Sequence, residues 1–157
     1  MKHKQLRKLA AGLLVFYGIQ FLAGMTLNLF VNLPKSHPGT TGSNYYSQSG
    51  HSLIWALSGG GGVALAIHVY IAIGLFFGSL ALFIRSIVVE DRLWKWCGGI
   101  AAFFTLGALA NGLSFVDFGK NVNSMAMATC WLVAVSALVI GLIKSTDSNG
   151  KFVKTKG

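Results

Sequence analysis

His68 is the residue whose setting asks for an explanation. It lies in an uncharged apolar run that continues to Ile84. An imidazole in hydrocarbon must meet a partner on another helix, a ligand or a water-lined pocket. Three chemistries are open to it. The first is an interhelical hydrogen bond to Asn28 or Asn111, an interaction worth on average about 0.6 kcal/mol in membrane bundles. The second is axial ligation of b-type haem, with His37, His51 or Met127 on the opposite face. Haem iron accepts His/His and His/Met pairs, and four-helix bundles seat cofactors between facing helices. The third is Cu(I), which favours thioether and imidazole and would draw on Met25, Met125, Met127 and the outer histidines. Met-x-Met, however, sets its two sulfurs about 200° apart on a helix, and methionine is an ordinary core filler.

Other chemistries find no residues to carry them. The chain has four acids, Glu90, Asp91, Asp117 and Asp147. None lies in an apolar run, which argues against proton-coupled transport through an intramembrane carboxylate. The polar loops hold no Ser/His/Asp set and no carboxylate pair, so no enzyme activity is expected. Asp117 and Lys120 have the spacing for a local ion pair, but a capped polar turn is the reading preferred. Cys97 and Cys130 have no metal-ligand spacing, and about 20 Å of helix rise separates their levels, so both are expected as free thiols.

The elements that position these residues are legible from composition. Of 157 residues, 54% are hydrophobic and 11% charged, against about 25% charged in an average soluble domain. Such a chain cannot cover a water-facing surface, and lipid is its solvent. The expected fold is all-α, a single four-transmembrane-helix bundle over 1–157, with spans at about 9–33, 61–84, 97–116 and 124–143. The first apolar run is too long for the h-region of a signal peptide and is read as an uncleaved span. Residues 34–60 form the long outer loop. Within it, 52–58 reads as a short interfacial segment anchored by Trp55, because the four glycines Gly59 to Gly62 are poor helix. Trp94 and Trp96 are expected at headgroup level.

Eleven of the thirteen lysines and arginines fall on one side of this layout, in the head, the 85–95 loop and the tail. Lys35 and Lys120 lie on the other. The positive-inside rule then puts both termini in the cytoplasm and the protein in the cell membrane as a multi-pass chain. The net charge of +9 accordingly points to a membrane face rather than to nucleic acid. The expected partners are the bilayer and other membrane subunits. Counting inward from the outer surface, Asn28, His68, Asn111 and Met127 fall within about two turns of one another, beneath loops that hold His37 and His51. That layer is the candidate ligand site. Gln20, Tyr17, Ser79, Thr105 and Ser136 read as scattered and uncharged. Small residues at Gly61, Ala64 and Ala72 leave a groove beside His68, which another helix or a flat macrocycle could fill.

The stretches Asn28-Leu-Phe-Val-Asn-Leu-Pro34, His37-Pro-Gly39, Trp55-Ala-Leu57, His68 and Asn111-Gly-Leu-Ser-Phe115 resemble a group of small bacterial four-span membrane proteins. The resemblance covers most of the chain and implies no particular activity. It also implies a histidine after Trp-Ala-Leu, where this chain has Ser58-Gly59. The function expected is therefore that of a small accessory or ligand-binding membrane protein centred on His68. The alternative is a haem-binding or quinone-interacting electron-transfer subunit.

Overall fold

The computed structural model describes residues 2–34, 36–41 and 44–151; Lys35, Lys154 and Lys156 of the charge count lie outside them. Five α-helices account for nearly all of it: α1 (Lys2–Phe30), α2 (Tyr45–Leu57), α3 (Val63–Val88), α4 (Arg92–Phe118) and α5 (Asn121–Lys151), with a single 3-10 turn at Pro38–Thr41. Four of them, α1, α3, α4 and α5, are long and apolar enough to cross a membrane. No strand occurs among the described residues. The protein is an all-α, four-span bundle.

The helices outrun the apolar stretches for local reasons. α1 starts among the lysines because Leu6 and Ala10 on its other face are buried, so the helix continues past the hydrocarbon. It stops at Phe30, before the extended conformation that Pro34 favours in its predecessor. α4 begins five residues earlier than expected because Asp91 caps it, its Oδ1 accepting the Trp94 N–H at 3.1 Å. That start turns Trp94 inward, where it is 1% exposed, and leaves Trp96, about 200° further round, 67% exposed. Only the second tryptophan sits where a headgroup anchor should.

α1 packs beside α3 and α5, and α4 closes the ring against the same two helices. Neighbours run antiparallel. The links are short: residues 89–91 join α3 to α4, and Gly119–Lys120 joins α4 to α5. Gly119 is left-handed at φ 61° and donates its N–H to Phe115 O, a helix stop that glycine makes without steric cost. Buried positions on α1 are Leu6, Ala10, Leu13, Tyr17 and Gln20, a spacing of three and four that forms one seam. The core of α4 ends at Thr105, and that of α5 begins at Ala134. The bundle is thus closely packed in the half nearer its termini. In the other half, of the four spans only α3 keeps buried residues, Leu65 and Val69, and these lie under α2 with its buried Ala56.

A tight helix crossing lies at Gly98, where an added Cβ would be 3.0 Å from both the Cα and the N of Phe83. Backbone cannot yield as a side-chain end can. Gly98→Ala is expected to force α3 from α4 and to cost about 1–3 kcal/mol. Gly74→Ala, which meets open space, should leave thermal unfolding in detergent unchanged or slightly raised. Equal melting temperatures for the two variants would refute the tight crossing.

Candidate functional site

Away from the termini, the 3-10 turn and α2 form a cap over α3 and α4. Asn44 starts α2 by accepting the Ser47 N–H at 2.9 Å. The helix presents Ser49 and Ser52 to Asp117 at the end of α4; Ser49 Oγ donates to Oδ2 at 3.0 Å and Ser52 Oγ donates to Oδ1. Asp117 is therefore held by hydroxyls from a distant segment rather than by Lys120, whose ammonium lies 5.9 Å from the Phe118 ring centroid. His37 is buried, stacks on Trp55 with centroids 4.5 Å apart, and donates Nε2–H to Val116 O at 3.1 Å. Trp55 also covers Gly60 and Gly61, where any Cβ would collide with its indole, while Gly59 and Gly62 take positive φ. The glycine block is thus a turn folded under a tryptophan. Trp55 is half-buried between His37 and the glycine turn, and the segment expected at 52–58 is a helix of 13 residues.

Below the cap, one residue ties the four spans together. Tyr17 on α1 hydrogen-bonds through its hydroxyl to Ser79 on α3 at 3.1 Å and to Thr105 on α4. Its carbonyl accepts the Trp131 indole N–H from α5 at 3.1 Å. Thr105 donates its own proton to Ala101 O at 2.6 Å, which fixes the direction of the chain. Ser79 donates to Tyr17, Tyr17 to Thr105, and Thr105 to its own helix. The hydroxyls that looked scattered in the sequence converge, and every proton is placed.

One turn along α1 lies a pair whose hydrogen bonds are incomplete. Gln20, only 8% exposed, meets His68 with Nε2 to Nε2 at 3.2 Å. Two nitrogens can bond only if one lacks a proton, so the amide NH2 donates to a bare imidazole Nε2, and the imidazole proton sits on Nδ1. Both Nδ1 of His68 and Oε1 of Gln20 are buried with no partner. One is then a free donor and the other a free acceptor. Turning the amide over exchanges the roles and still leaves one of each. The remaining edge of the imidazole abuts α1, where a Cβ on Gly24 would be 3.1 Å from His68 Cε1.

The other residues of the expected layer are placed elsewhere. Asn28 is exposed on α1. Asn111 donates to Gly107 O of its own helix at 2.8 Å. Met127 lies against Gly112, where an added Cβ would be 3.3 Å from its sulfur. His51 is exposed on α2. Met25 and Met125 are also exposed. Equal depth did not mean a shared face. Haem ligation fits these positions poorly: His68 Nε2 faces an amide, Gly24 occupies the flank a macrocycle would need, and His37 bonds into the cap. Among the described residues no three His, Cys, Asp or Glu side chains gather as a metal site. Both thiols are free, Cys97 buried beside Gly141 and Cys130 beside Gly107.

Tyr17→Phe removes two interhelical hydrogen bonds without creating a cavity. It is expected to cost about 1 kcal/mol, read as a lower melting temperature in detergent. Thr105→Val in the Tyr17→Phe background should add little, because the pair acts as a unit; full additivity would break the chain of donors proposed. The chain matches no protein-family model, no curated protein and no solved structure.

Proposed function

We propose that this chain is a small, non-catalytic membrane protein that holds a lipid-soluble ligand at Gln20 and His68. The observation that carries the reading is the pair of buried, unpartnered atoms, Oε1 and Nδ1. In hydrocarbon an unsatisfied polar group costs several kcal/mol. A pair of side chains that keeps one donor and one acceptor in reserve is complementary to a ligand that offers both. A quinol hydroxyl does so, and its ring and tail suit the apolar surroundings. Access fits as well: α1 has no buried residue beyond Gln20, so the seam between α1 and α3 opens most readily there. Gln20 and His68 bind and orient the ligand, Gly24 makes room for the imidazole, and the Tyr17 cluster holds the helices at the spacing the site needs.

The test is binding of a short-chain benzoquinol to purified protein in detergent, compared with Gln20→Leu/His68→Leu. Wild type should bind saturably and the double variant should not. The double variant should also unfold no more easily, since removing both polar partners is near neutral, whereas His68→Leu alone orphans Gln20 and costs about 1–3 kcal/mol. Equal binding by both proteins, or none by either, overturns the reading. So does a Soret band in the purified protein that His68→Ala abolishes.

The same proposal sets the bundle with both termini in the cytoplasm and the α2 cap outside, on the strength of the lysines and arginines at the terminal end. Tyr46→Cys should react with an impermeant maleimide added outside intact cells, and Glu90→Cys only after lysis. Labelling of both from one side overturns that orientation.

A further inference from the structure

The terminal end of the bundle carries a second feature, unconnected with His68. Between α4 and α5 runs a crevice of about 470 Å³ whose walls include Cys97, Ile100 and Ile140 and whose mouth holds Arg92, Trp96 and Lys144. Its volume falls in the range of roughly 300–1,000 Å³ usual for small-molecule sites. From Arg92 to Ile100 it extends about 12 Å along the helices at 1.5 Å rise per residue. Charge sits at one end only, and the rest is apolar.

The two cations are not used by the fold. Arg7 and Arg85, at the same end, reach Thr146 at 2.9 Å and Gln5 at 3.0 Å. The carboxylate of Asp91 is taken by His3 at 2.6 Å and by the Trp94 N–H. Glu90 is exposed in the turn. Neither Arg92 nor Lys144 makes a hydrogen bond or ion pair with a described residue. Trp96, largely exposed beside them, has the amphipathic ring that settles at headgroup depth. A small free anion would satisfy the charges and leave the apolar trough empty. A neutral lipid would fill the trough and leave the charges unmet.

We infer that this crevice is a binding site for an anionic phospholipid, with its phosphate between Arg92 and Lys144 and one acyl chain along Ile100 and Ile140. The site requires nothing of the Gln20–His68 reading. Each cation near such a surface is worth about fivefold in affinity.

The full protein, delipidated in detergent and offered dioleoyl phosphatidylglycerol and dioleoyl phosphatidylcholine in competition, tests this by native mass spectrometry. Wild type should retain one phosphatidylglycerol in preference to phosphatidylcholine. Arg92→Gln/Lys144→Gln should lower that preference about twenty-five-fold, at an unchanged melting temperature. Lys4→Gln/Lys8→Gln removes the same charge from the same end and should leave it intact. Equal loss in both double variants means diffuse charge rather than a site and overturns the inference. So does displacement of the lipid by millimolar inorganic phosphate, which marks a free-anion site, or an absence of preference in wild type.

Discussion

Every polar group that enters hydrocarbon must be met there, and Tyr17 is where this bundle meets the demand. A hydroxyl can serve two neighbours and a carbonyl a third, so a single residue on α1 reaches α3, α4 and α5. Burial of apolar side chains cannot organise helices in lipid as it does in water, because the tails outside are as apolar as the core. Close backbone approach at Gly98 and directed hydrogen bonds at Tyr17 take its place. Both lie in the half of the bundle that packs closely. Gln20 and His68 sit at its upper edge, where the helices still converge but the packing begins to relax.

The contrast between the two polar clusters is informative. In the Tyr17 set the donors and acceptors run in sequence and terminate on a backbone carbonyl, leaving nothing over. In the Gln20–His68 set two side chains satisfy each other halfway and stop. Had stability been the sole requirement, leucines at both positions would have packed at less cost. The incomplete pair is what distinguishes a place for something else from a structural bond.

The layout of the spans could be read from hydropathy because length and charge distribution act over twenty residues at a time. Contacts that depend on a facing partner could not. Depth along the membrane placed Asn28 near His68, but Asn28 lies about 80° round the helix from Gln20, and a level is not a face. The signal for the true partner was present: residues 6, 10, 13, 17 and 20 repeat at three and four, and Tyr17 and Gln20 are the polar members of that stripe. Ser79 continues the corresponding stripe on α3 through Leu75 and Leu82. Asp117 was harder. Its partners come from α2, more than sixty residues away in the chain, and no local pattern records a contact of that range.

Because buried residues on α1, α4 and α5 cluster toward one end, stiffness is graded across the thickness of the bilayer. The knit end acts as a fulcrum, and the far tip of α1, which has no buried residue beyond Gln20, is the freest to swing. Strain from a thinner or more curved membrane would be absorbed in a single leaflet, and α3 and α4, roofed by α2, would move least.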